Sequence, residues 1–262
     1  MKKTDHDWER WGATAPYYGV LSINRFRPEN LDADAKEAFF ASGERHISAV
    51  FSRIESMAGK PFRPRTALDF GCGVGRLSIP MARRCDSVIA ADVAPAMLAE
   101  TMRNCELHGI ENLEAEVSDD RLSRIPANID LVHSFIVLQH IPPSRGEQIV
   151  AELADRVSDD GFLALQFYVR CNSHWLVRSL VRARYWLPPV NWIRNLLKSR
   201  PLREQAMELH VYNLPKVLRT LRQSGFPEVE THLDTEAAGQ FESVFLLARR
   251  THRQPSISNP LA

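Results

Sequence analysis

The chain has 262 residues, of which 44% are hydrophobic and 25% charged, with a formal net charge of +1 at pH 7. This balance suits one large globular α/β domain with additions, or at a stretch two small ones, and it implies a packed core. It argues against a polypeptide built as a whole around nucleic acid, and no apolar run is long enough to span a bilayer as a helix. The opening residues, MKKTDHDWERW, start basic but lack the apolar core of a secretion signal. Cys72, Cys85, Cys105 and Cys171 show neither CxxC pairing nor a zinc-like spacing with histidine, which suits reduced thiols and a cytoplasmic location.

Residues 1–30 read as irregular, rich in aromatics and proline. From Asp32 to Met57 the apolar residues fall on one helical face, among them Phe39, Ile47, Val50 and Ile54, and GKPFRPR breaks the pattern. Strands and helices then alternate. Strand-like runs are 67–70, 87–92, 113–117, 129–135 and 162–169, and helical runs are 76–84, 95–108 and 145–157. The third and fourth strands are joined by a shorter connection. Such alternation predicts right-handed βαβ units and a mainly parallel sheet, with ligands at the carboxyl ends of its strands. After Arg170 the rhythm lapses until about Tyr212. A helix then ends at Gly225, and EVETHLDT and SVFLLARR are joined too closely for a helical crossover, so they are expected to pair antiparallel. The predicted division is an N-terminal extension and helix (1–60), an α/β domain (61–250) with an insertion at about 171–211, and a tail (251–262).

The stretch TALDFGCGVGRLSIPMARRC places Gly71, Gly73 and Gly75 where the first strand hands over to a helix. Positions without a side chain let backbone N–H groups approach a ligand; the alternative is a tight turn with no ligand. Arg76 stands where a dinucleotide fingerprint has its third glycine. The next strand ends in Asp92, whose carboxylate can accept from a ribose diol or cap the helix that follows.

ALDFGCGVGRLSIPMA, VIAADVAPAMLAETMRN, IDLVHSFIVLQHIPP and LADRVSDDGFLALQF, in this order and spacing, resemble the class I S-adenosylmethionine-dependent methyltransferases. The similarity covers roughly Thr66 to Gln166 and the terminal helix–strand–strand. It implies a Rossmann-like, seven-stranded, mostly parallel sheet with the last strand antiparallel, and S-adenosyl-L-methionine as cofactor. By the same resemblance Gly71, Gly73 and Gly75 flank the methionine part, Asp69 helps place its amino-acid end, Asp92 binds the ribose, and Val93 lies near the adenine. An acid after the third strand reads the adenine in many relatives; here Asp119 or Asp120 is available, and Asp119 is preferred. The N-terminal segment WGATAPYYGVL is expected to fold over the cofactor, with Tyr17 or Tyr18 closing the pocket; the alternative is a cap on the core.

Methyl transfer is an in-line displacement, and a hydroxyl acceptor also needs a base. His140, after the fourth strand, is the best-placed candidate; the alternative is that it only orders its loop. His133 lies mid-strand and reads as buried structure. Pro142 and Pro143 come too late, with no aromatic following, for the base-stacking loop of nucleobase amino-methyltransferases, so no nucleic-acid substrate is expected. No metal site is expected.

Between Gly161 and Arg203 there is no Asp or Glu, while Arg170, Arg178, Arg182, Arg184, Arg194, Lys198, Arg200 and Arg203 are interleaved with Trp175, Trp186 and Trp192. Three readings stay open: a helical pair with solvated arginines, a lid whose arginines bind an anionic acceptor, and an interfacial segment on anionic lipid. The sequence as a whole points to methylation of a small-molecule or glycan-type acceptor, at oxygen. The alternatives are a catalytically inactive cofactor-binding scaffold and an NAD(P)-dependent oxidoreductase.

Overall fold

A computed structural model describes residues 3–197, 200–202, 204–236 and 239–251, with backbone alone for 3, 180–184, 186, 188 and 236. The tail expected at 251–262 lies outside the described residues from 252 onward, as do Lys198 and Arg203; the side chains of Arg182, Arg184 and Trp186 lie outside them too.

Residues 1–30 are not irregular. They form α1 (Lys3–Thr14), α2 (Pro16–Val20) and two short 3-10 turns. Helix α1 carries few apolar residues, so periodicity is faint. Its ordering comes from docking: Trp11 and Ala15 are buried, and Gly12 lets α1 meet the start of another helix so closely that an added Cβ would lie 3.0 Å from Ala96 Cβ and Met97 N. Pro16 opens α2 at a position where its missing N–H costs nothing. The expected long helix is α3 (Ala33–Ala58), capped by Asp32 accepting from Ala35 N at 2.7 Å and stopped by Gly59 at φ +65°.

The expected strands and helices are present: β1 (Thr66–Phe70), α4 (Ser78–Ala82), β2 (Ser87–Asp92), α5 (Pro95–His108), β3 (Leu113–Val117), β4 (Ile129–Ser134), α6 (Pro143–Arg156) and β5 (Val157–Cys171). Strand β5 starts earlier than the sequence suggests. The Asp159–Asp160 turn is an irregularity inside it, with Asp160 at φ +60° and a register shift against β4. Beyond it lie α7 (Trp175–Trp186), α8 (Pro188–Leu197), α9 (Leu214–Gln223), β6 (Glu228–Glu236) and β7 (Phe241–Arg249).

The sheet order is β3-β2-β1-β4-β5-β7-β6. The first five strands pair in parallel, and β7 runs antiparallel to both β5 and β6, as the short β6–β7 connection requires. Alternate residues of the buried strands feed two cores. Leu68, Leu163 and Phe167 pack with α6 and α9, while Ala67, Phe162 and Ala164 pack with α3, α4 and α5. A third cluster, including Trp11, Tyr17, Phe26 and Phe39, fastens the N-terminal helices to α3. The strand order reverses direction between β1 and β4, and there the carboxyl ends leave a crevice.

Candidate active site

The crevice holds a cavity with about 760 Å³ of space free of protein atoms, its open mouth included. Its floor is the glycine loop. Gly71 (φ +77°), Gly73 (φ +56°) and Gly75 (φ +84°) all adopt the left-handed backbone that favours glycine. A Cβ on Gly71 would lie 2.3 Å from Val137 Cγ2, and one on Gly73 would lie 2.4 Å from Val20 Cγ2. Helix α5 fixes the loop from behind: Thr101 Oγ1 donates to Gly73 O at 2.7 Å, and Asn104 Nδ2 donates to Val74 O at 2.9 Å.

Asp92 is buried at the end of β2 and lines the cavity. Its Oδ2 accepts from Gly73 N at 3.0 Å and its Oδ1 from Ala94 N at 2.9 Å, so it both shapes the glycine loop and starts the turn into α5. Each oxygen keeps acceptor capacity for a further donor. Burial raises its carboxyl from 3.8 to about 6, although the two backbone donors pull the other way. Val93 and Asp119 also line the cavity. Asp119 caps its own turn, accepting from Arg121 N at 2.9 Å and Ser123 N at 3.1 Å, and the Ser123 hydroxyl and these amides hold it below the usual carboxylate range.

Other predicted residues lie elsewhere. Gly75 shapes the chain into α4 without bordering the cavity. Asp69 is buried beneath the loop, where it accepts from Ser78 Oγ at 2.5 Å and lies 3.4 Å from His133 Nδ1. Tyr18 does not close the pocket: it is buried in the N-terminal cluster with the Arg27 guanidinium 3.9 Å above its ring. Tyr17 donates toward Glu100 Oε1 at 2.9 Å, also outside the cavity. Their neighbours Gly19 and Val20 supply the wall instead.

Sequence reasoning missed Thr4, Asp5 and Trp8 of α1, and Arg145 of α6, all of which line the cavity. Arg145 Nη1 meets Asp5 Oδ1 at 2.7 Å and its Nε meets Asp120 Oδ1 at 2.6 Å, so one guanidinium clamps α1 to the segment after β3. Residues 140 positions apart carry no periodic signal for such a contact. Ile136, another wall residue, holds φ +63°, a strained value for a β-branched side chain, and its N–H donates to Gln166 Oε1 at 3.0 Å.

His140 borders a second, smaller cavity, with Asp7, Trp11, Met207 and Glu208; Thr4 and Trp8 border both. Its Nδ1 lies 3.0 Å from Glu208 O, an acceptor only, so Nδ1 carries the proton and Nε2 the lone pair. Trp8 packs edge-on against it, with ring centroids 5.0 Å apart. Burial lowers its pKa from 6.5 to about 4, so the ring is neutral at pH 7. The loop is itself held by Tyr212, whose hydroxyl lies 2.9 Å from Leu138 O and 2.8 Å from Ile141 O. His133, by contrast, is fully buried mid-strand, 3.0 Å from His46 Nε2. None of Arg170, Arg178, Arg194 and Arg200 borders either cavity. Arg170 pairs with Glu242, and Arg200 with Glu204, which Arg27 also engages.

The larger cavity is acidic: Asp5, Asp92, Asp119 and Asp120 line it with a single Arg145. Such a lining suits a cation and repels the diphosphate of a nicotinamide dinucleotide. With the sheet order and the switch-point crevice, it defines the class I S-adenosylmethionine-dependent methyltransferase fold.

The chain contains a methyltransferase domain of that class: residues 67–161 match the family model described as a methyltransferase domain. Over 189 residues, 68% of this chain and 41% of the relative, it is 30% identical to 23S rRNA (uracil(1939)-C(5))-methyltransferase RlmD of a Marinomonas species. Over 95 residues, 36% of this chain and 38% of the relative, it is 35% identical to ubiquinone biosynthesis O-methyltransferase of Cereibacter sphaeroides. The solved structure of the N-methyltransferase NodS from Bradyrhizobium japonicum, in complex with S-adenosylhomocysteine, superposes with a TM-score of 0.59. It is 14% identical, over 96% of this chain and 100% of that one. The chain spans less than half the length of the curated relatives it matches.

Proposed function

We propose that the chain transfers a methyl group from S-adenosyl-L-methionine to oxygen of a hydroxyl-bearing small molecule or glycan-type acceptor, with His140 as the base. The observation that carries this reading is the pairing of two cavities across Trp8, one built on Asp92 and the glycine loop, the other ending on a neutral imidazole. The ubiquinone-pathway relative, by name an O-methyltransferase, supports oxygen as the acceptor atom.

The residues fit the cofactor. Asp92 offers paired carboxylate oxygens to a ribose diol, the backbone of Gly71 and Gly73 lines the cavity beside it, and Val93 and Asp119 border the adenine side. When bound, the cofactor supplies an electrophilic methyl group on a sulfonium. The chain contributes position and dryness: Trp8, Val20 and Val137 wall off water, and the acidic lining favours the sulfonium charge. Glu208 O holds the His140 tautomer so that Nε2 accepts the acceptor's hydroxyl proton. Trp8 and Trp11 offer apolar faces to the acceptor, and Asp7 and Glu208 border the same chamber. With Arg170, Arg178, Arg194 and Arg200 outside both cavities, a neutral acceptor fits better than an anionic one.

Two measurements test this. Saturating S-adenosylhomocysteine, at 100 times its Kd, is expected to add about 2.7 kcal/mol of stability; no thermal shift refutes the donor site. His140→Asn keeps a donor toward Glu208 but has no base. With an acceptor found by screening hydroxylated compounds against methyl-labelled donor, it is expected to lower kcat about 10²- to 10⁴-fold and leave S-adenosylhomocysteine binding unchanged. Unchanged kcat refutes the base. Donor binding with no turnover on any acceptor favours a scaffold.

A further inference from the structure

Helix α8 is built inside out. Asn191 and Asn195 face the body of the protein, and their amides donate to Glu204 O at 2.7 and 2.8 Å, Asn195 also to Leu202 O at 3.1 Å. The opposite face presents Trp192, Ile193, Leu196 and Leu197, the last two 71% and 80% exposed. Positions i, i+1, i+4 and i+5 make one continuous stripe. Helix α7, which packs against α8, adds exposed Trp175 and Leu176 at its start. A stripe of this kind in solvent costs free energy that a covering surface recovers.

The charge of the segment says what that surface is. Eight Arg and Lys and no acid lie between Gly161 and Arg203, in a chain whose net charge is only +1. Arg178 is exposed, and Arg194 is half-buried at the edge of the stripe. Among the described residues no helix is long and apolar enough to cross a membrane. We propose that α7 and α8 dock flat on an anionic lipid surface, the Trp192–Leu197 stripe in the headgroup–acyl boundary and Arg178 and Arg194 against the headgroups. This goes beyond the proposed reaction and does not depend on it.

The test is sedimentation of the full chain with phosphatidylcholine vesicles, plain or carrying about 30% phosphatidylglycerol. Expected is binding to the anionic vesicles that is at least about tenfold tighter than to the plain ones, and that weakens as salt is raised. Leu196→Gln/Leu197→Gln is expected to reduce that partition by about tenfold or more. Far-UV circular dichroism and an unchanged melting temperature show that the variant is folded. Equal partition into both vesicle types, or none into either, overturns the proposal. So does a dimer seen by light scattering that dissociates in the same variant, because the stripe then covers a second copy of the chain.

Discussion

Asp92→Asn separates what the carboxylate does for the fold from what it does for the ligand. In the folded chain, burial raises this carboxyl to about 6, whereas an unfolded aspartate titrates near 3.9. Above pH 6 both states are ionised, and the folded state bears the whole cost of the buried charge, about 3 kcal/mol at 1.36 kcal/mol per pH unit. As pH falls from about 6 to about 4 the folded state binds a proton that the unfolded state does not, so this cost shrinks and the stability contribution rises. Asparagine removes the charge but leaves either Gly73 N or Ala94 N facing a donor, a loss of about 1–3 kcal/mol. The two effects nearly cancel, so the variant is expected to fold at pH 7.5 with stability within about 2 kcal/mol of the parent. Binding does not cancel. Hydrogen bonds to a charged group contribute about 1.5–3 kcal/mol, so loss of one raises the Kd for S-adenosylhomocysteine about 10- to 150-fold. Calorimetric titration across pH 5–8 should show the parent's affinity falling as Asp92 is protonated below about 6, and the variant's staying flat. Equal affinity of variant and parent at pH 7.5 refutes the role assigned to Asp92.

Gly73→Ala forces a side chain into the left-handed region and against Val20 Cγ2. It is expected to cost about 1–2 kcal/mol from the backbone alone, with more from the collision, and adding Val20→Ala should recover only the second part in a thermal melt. Arg145→Met leaves Asp5 and Asp120 without their shared cation, which is only 14% exposed. A loss of about 1–3 kcal/mol, discounted for partial exposure, is expected, together with faster amide exchange confined to α1. Unchanged exchange there would show that α1 is held by Trp11 and Gly12 instead.

The sheet and the glycine loop were legible because their signals are local. Gly71, Gly73 and Gly75 fall within five positions, Asp92 closes the next apolar run, and β6 and β7 are too close in sequence to pair any other way. The walls were not legible, because long-range packing decides them. Helix α1 has two tryptophans and a glycine where a periodic pattern needs more, and its decisive contact, Asp5 with Arg145, joins distant residues. The Tyr18 expectation chose the correct turn of chain but the wrong face, since Arg27 draws the ring inward and Gly19 and Val20 meet the cavity. The His140 chamber was half legible: LQHI marks the imidazole, whereas Glu208, which fixes its tautomer, arrives from a stretch with no pattern of its own.

Trp8 and Thr4 line both chambers. Both chambers of the crevice are lined by the same helix, which is held by the Arg145 guanidinium and by the packing of Trp11 and Gly12. On the proposed reading, displacement of α1 would open the donor and acceptor chambers in one event.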